Sequence, residues 1–152
     1  MLRFLLLILF IHFSVELLAQ ESDNVPFAII EQAPIYPGCE DLDKQTQKKC
    51  LQNGITHHIG KKFNTGMVDT LGLEPGIVRV YVQFRINEKG LVDSISARGT
   101  HKRLEHEAIR VVGLLPKIKP ALDKDNNPVA VKYTLPINLY VEAPKKKKKL
   151  GF

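Results

Sequence analysis

Two stretches of the chain alternate apolar and polar residues with a period of two, and two others repeat apolar residues every three or four positions. Val78, Val80, Val82, Phe84 and Ile86 alternate with Arg79, Tyr81, Gln83 and Arg85, which predicts a strand buried on one face. Asn87-Glu88-Lys89-Gly90 follows as a turn whose glycine supplies a left-handed position. Leu91–Arg98 then returns as a second, more polar strand of an antiparallel hairpin. Towards the end, Val129, Val131, Tyr133, Leu135, Ile137, Leu139 and Val141 are apolar at every odd position, and Lys132, Thr134, Asn138 and Glu142 fill the other face. This pattern predicts one long strand over Val129–Val141. Pro136 within it cannot donate to a ladder, which puts the strand at a sheet edge.

The helical period is carried first by Leu51, Ile55, Ile59 and Phe63. Asp41 or Asp43 can cap the start of this helix. Glu40, Asp41 and Asp43 suit its positive end, and Lys61 and Lys62 its negative end. Asn53-Gly54 interrupts the stripe with poor helix formers. His57 and His58 lie beside it and read as partly buried helix residues. A second helix has Leu104, Ala108, Val111 or Val112, and Leu115 on one face, with Glu105, Glu107 and Arg110 elsewhere; Pro116 ends it. Val25–Ile30 is a short β-prone run interrupted by Pro26. Pro34-Ile35-Tyr36-Pro37-Gly38 fixes an extended, turning path. Asn64–Gly76 and Pro120–Pro128 read as loops. The order helix, strand, strand, helix, strand predicts an α+β domain over residues 25–142, two helices packed on one face of a three-stranded antiparallel sheet.

With 152 residues, 44% apolar and 25% charged, the chain fits one domain with appendages, and a wholly disordered, collagenous or polytopic membrane protein is excluded. The net charge of +6 includes five lysines in one run, Lys145–Lys149. Between the first twenty residues and that run the chain is nearly neutral, so the basic balance belongs to the tail, residues 143–152, and gives no sign of a nucleic-acid surface. Such a tail is a solvated end, or a weak contact with an anionic membrane surface. Met1–Gln20 has Arg3, an apolar run Phe4–Phe13, and Leu17-Leu18-Ala19-Gln20. The run is shorter than the ~20 residues that span a bilayer and reads as a signal peptide over residues 1–20, cut near Ala19 or Gln20, with a retained signal anchor as the alternative. Export leads to an oxidising compartment, where the default for Cys39 and Cys50 is one disulfide. A metal site with His57 and His58, or a redox pair, stays open, although neither fits the spacing well.

Catalytic patterns are missing. His101, Glu105, His106 and Glu107 lack the His-Glu-x-x-His spacing of a zinc protease, and neither a Gly-x-Ser-x-Gly elbow nor a phosphate loop occurs. The reading is of a protein that is not an enzyme and has no cofactor and no metal.

The segment from Gly76 to Ile95, Gly-Ile-Val-Arg-Val-Tyr-Val-Gln-Phe-Arg-Ile-Asn-Glu-Lys-Gly-Leu-Val-Asp-Ser-Ile, resembles the first hairpin of the TonB C-terminal domain. Pro34-Ile35-Tyr36-Pro37 is similar to the Pro-x-Tyr-Pro element before that domain's first helix. Leu104-Glu105-His106-Glu107-Ala108, the Leu114-Leu115-Pro116…Lys119-Pro120 bend, and Pro128-Val129-Ala130-Val131 match its second half. Val25-Pro26-Phe27, Pro37-Gly38-Cys39-Glu40 and Lys48-Lys49-Cys50 look like the branch common in Bacteroidetes-type bacteria. The resemblance covers Val25 to Val141 and implies the same fold as the periodicity does.

What the resemblance implies is binding. TonB-like domains act in the periplasm, where they grip the TonB box of outer-membrane transporters by strand addition and pass on force from a proton-driven inner-membrane motor complex. The implied contact is the final strand, with Val129, Val131, Lys132, Tyr133, Thr134, Leu135, Ile137, Asn138 and Leu139. Pro34, Tyr36 and Pro37 form the second implied contact. Pro136 would break the pairing if its nitrogen faces the box. The chain departs from the full TonB pattern in two ways. His12 precedes Ser14, against the Ser-x-x-x-His of the TonB anchor, and only about 14 residues, at most ~50 Å extended, separate Gln20 from Pro34. The alternative is a periplasmic regulatory or self-associating domain that does not transduce energy, for which a homodimer is expected.

Overall fold

The computed structural model describes residues 30–143. The leader at residues 1–20, nearly all of the Val25–Ile30 run, and the lysines of the tail lie outside them. Among the described residues two helices, a 3₁₀ turn and six strands follow one another. β1 is Ile30–Gln32, α1 Lys44–Lys62, β2 Gly76–Ile86, β3 Val92–Gly99, α2 Lys102–Gly113, β4 Ala121–Asp123, β5 Pro128–Val129 and β6 Val131–Val141. The architecture is α+β, with the main antiparallel sheet ordered β3-β2-β6 and a second one ordered β1-β4-β5.

α1 begins where an acidic cap was expected. Asp43 has extended backbone angles, and its Oδ1 accepts the N–H groups of Gln45 and Thr46 at 3.0 and 3.1 Å. The helix runs through Asn53-Gly54 without a break. The four-residue stripe is buried: Leu51, Ile55, Ile59 and Phe63 are all under 8% exposed. Gly54 is there for space, because a Cβ would sit 2.6 Å from the Tyr36 ring. His57 is exposed; His58 is half-buried, its Nε2 3.2 Å from the Val111 carbonyl of α2.

β2 and β3 form the expected hairpin. Asn87 Oδ1 accepts from the N–H groups of Lys89 and Leu91, and Gly90 takes φ +75°. A Cβ at Gly90 would collide with the Ile118 carbonyl oxygen at 1.8 Å, so both conformation and close approach demand glycine there. Ser94 at φ +50° marks a bulge that sets Ser94 and Ile95 against Phe84. Asp93 clamps the hairpin by accepting from Arg85 Nε at 2.7 Å and Asn87 Nδ2 at 2.8 Å.

α2 covers β3 and β2 with Leu104, Ala108, Val111 and Val112 fully buried. It ends at Gly113, so Leu115 falls beyond it. Glu105, expected off the buried face, is buried at 7% exposure. Its carboxylate accepts from Gly99 N–H at 3.0 Å and Lys102 Nζ at 2.8 Å, which ties the helix start to the end of β3. The Asn64–Gly76 loop contains the 3₁₀ turn Thr65–Thr70, which buries Val68.

Two further expectations, both about strands, are corrected. The last strand starts at Val131 and not Val129; Val129 belongs to β5, which pairs with β4. The stretch read as a loop from Pro120 to Pro128 is a small hairpin closed by Asp123, whose Oδ1 accepts the N–H groups of Asp125 and Asn127. The chain passes between sheets at Ala130, 1% exposed. Apolar residues at both Val129 and Val131 keep the alternation going across this switch.

Candidate functional site: the free edge of the last strand

β6 pairs with β2 over eleven residues without a register shift, from Ile86–Val131 to Gly76–Val141. Among the described residues no strand lies on its other side. In an antiparallel ladder the backbone groups of successive residues point alternately to one neighbour and to the other. Pro136 stands opposite Tyr81 within this unbroken register. Having no N–H, it fits only where the backbone faces away from β2. That fixes the parity of the strand. Val131, Tyr133, Leu135, Ile137 and Leu139 bond to β2 and turn their side chains to the core. Lys132, Thr134, Asn138 and Tyr140 turn N–H and C=O to the free edge, and at Pro136 only the carbonyl is available.

The edge opens onto a groove beneath α1. A cavity of about 320 Å³ is lined by Lys48, Leu51, Gln52 and Ile55 of α1, by Ala33, by Phe84, and by Tyr133, Thr134 and Leu135. A second, of about 240 Å³, continues past Leu135 between Thr56, Ile59 and Gly60 on one side and Pro136, Ile137 and Asn138 on the other. The floor is apolar, and Tyr133 stacks on Phe84 with ring centroids 5.7 Å apart. Burial pushes the Tyr133 phenol up to about 12, so it is neutral and protonated at physiological pH. A strand added at this edge would direct alternate side chains into these cavities.

Of the residues expected to meet a partner, Lys132 to Asn138 are thus gathered on the edge and the groove, whereas Val131 and Leu139 are buried in the core and line neither cavity. Val129 lies away from the edge, since it sits in the other sheet. The Pro34–Pro37 element takes a different course. Pro34 is fully buried, Ile35 exchanges backbone hydrogen bonds with Lys119 at 3.0 Å, Tyr36 is half-buried and Pro37 exposed. Tyr36 lies against Gly54, about 200° around α1 from Gln52 at ~100° per residue. Neither Tyr36 nor Pro37 lines the groove; Ala33, next to Pro34, does. The Cys39–Cys50 disulfide, with Cα atoms 6.1 Å apart, fastens this element to α1, and Gln47 Nε2 donates to the Glu40 carbonyl at 3.0 Å. The structure therefore makes Pro34–Cys39 a strap over the helix that walls the groove.

Sequence reasoning missed the wall itself. Lys48, Gln52, Thr56 and Gly60 recur every four residues, one row of α1 beside the apolar stripe. A polar row reads as solvated, and only the sheet edge next to it makes it part of a site. His101 caps α2, its Nδ1 accepting from Arg103 N–H at 3.1 Å, and His106 is exposed. Among the described residues no cluster of three or more His, Cys, Asp or Glu could hold a metal, and no helix is long and apolar enough to cross a membrane.

No curated protein matches the chain. The family model of the Gram-negative bacterial TonB protein C-terminal matches residues 78–140, which run from β2 into the last strand.

Proposed function

We propose that this protein is a periplasmic TonB-like domain that takes the TonB-box segment of outer-membrane transporters as an added strand on β6, in energy-coupled transport. TonB C-terminal domains work in transport across the Gram-negative envelope and interact with outer-membrane transporters. The observation that carries the finer reading is the free edge of β6 lying along an apolar groove. The edge gives backbone pairing that tolerates varied sequences, and the cavities give side-chain preference. In this proposal the Pro34–Tyr36–Pro37 strap acts mainly by holding α1 in place, with Ala33 closing one end of the groove. Export by a cleaved signal peptide, or anchorage by a retained one, belongs to the same proposal, as does contact with an inner-membrane motor.

An amide-resolved NMR titration with N-terminal peptides of outer-membrane transporters from the same organism tests this reading. Strand addition moves and protects the amides of Lys132, Thr134, Asn138 and Tyr140 more than those of their odd-numbered neighbours. A folded monomer that gives no shift with any such peptide would sink the reading.

A further inference from the structure

β6 spans Val131–Val141, so Pro136 is its central residue. A second copy adding its own β6 about a twofold axis would pair antiparallel, with outward-facing residues opposite one another. With the strands fully overlapped, Pro136 meets Pro136 of the second copy on the axis, and the pair that should exchange two hydrogen bonds exchanges none. Sliding by one step of two residues sets each proline opposite Thr134 or Asn138 of the other copy, and two bonds are again lost. Pro136 leaves the ladder only when less than half of each strand is paired. A single extended segment from a different protein loses just one bond, the donor to its carbonyl opposite Pro136, and that carbonyl stays in contact with water.

We infer that Pro136 is a specificity-determining residue of this edge, barring β6 from a second copy of the chain while leaving it open to one extended segment of another protein. The Lys132–Leu135 half, beside the 320 Å³ cavity, is the part such a segment engages with its backbone bonds complete. Proline on an exposed edge strand is a known guard against edge-to-edge association. Here its central position turns the guard against the symmetric pairing in particular. The segment's identity rests on the reading in the previous subsection; the barrier to self-pairing does not.

The test uses the full chain beside Pro136→Ala and Pro136→Val, two variants at an exposed position. Sedimentation equilibrium reads self-association, and NMR titration reads binding of a synthetic transporter N-terminal peptide. The wild type is expected to be monomeric through this edge. Both variants are expected to dimerise through β6 at least tenfold more tightly and to bind the peptide about three- to tenfold more tightly, one donor being restored per partner strand. Variants as monomeric as the wild type, or a wild type already dimeric through β6, would overturn the inference. If the variants dimerise and no form binds the peptide, the inference stands and the box-binding proposal falls.

Discussion

Tyr133 puts a titratable group on the floor of a binding groove. Its ring lies on Phe84, and burial raises the phenol from 10.0 to about 12. Ionising it in the folded state places a charge against apolar carbon, whereas the unfolded chain ionises it freely. Its contribution is therefore fully present below pH 10 and is lost as pH rises towards 12. Tyr133→Phe keeps the stack and removes the proton. Denaturant melts at pH 8 and pH 11.5 are expected to give nearly equal stability for the two proteins at the lower pH. At the higher pH the variant is expected to be about 1–2 kcal/mol more stable. An identical alkaline loss in both would show that the phenol is not held in this environment.

α1 forms one wall of the groove. Its stripe packs on the core, while the other side is held by the strap from Pro34 to Cys39, the disulfide and the Tyr36 ring on Gly54. Closing a loop with a separation of 11 residues contributes about 2–3 kcal/mol through the unfolded state. The Cys39→Ala, Cys50→Ala double variant is expected to lose that much in urea melts and also to weaken box-peptide binding, since a looser α1 widens the groove. A stability loss with unchanged affinity would mean that the strap supports the fold and leaves the groove unaffected. This helix was legible because Leu51, Ile55, Ile59 and Phe63 keep one period throughout. The strap was legible only as a rigid path, since Pro-x-Tyr-Pro says nothing of the glycine on which Tyr36 lies. The edge strand was legible through alternation and Pro136, but its start was not, because Val129 and Val131 share a parity across two sheets. β4 and β5, three and two residues long, are too short for any period to appear.

Several of the contacts that join these elements are made by ionised carboxylates. The Lys102 ammonium and the Gly99 N–H hold Glu105 below the usual glutamate range, and together they join α2 to β3. Arg110 lowers Glu107, which accepts from Asn64 N–H at 2.8 Å and so ties α2 to the end of α1. Arg85 lowers Asp93 in the hairpin, the Thr46 and Gln45 hydrogen bonds lower Asp43 at the α1 cap, and those from Asn127 and Asp125 lower Asp123 in the small sheet. All five shifts have the same sign, so the unfolded chain takes up protons first on acidification. Their combined contribution is present above about pH 4.5, where the unfolded glutamates ionise, and is lost as pH falls through 3.8 and below into the lowered folded values. The urea midpoint is expected to stay level from pH 7 to 5 and then fall steeply below pH 4. Glu105→Gln and Asp93→Asn are each expected to lower the neutral-pH midpoint and flatten the acid limb. Wild-type stability unchanged down to pH 3 would mean that these carboxylates only decorate a fold that the aliphatic core between the sheet and the two helices already holds together.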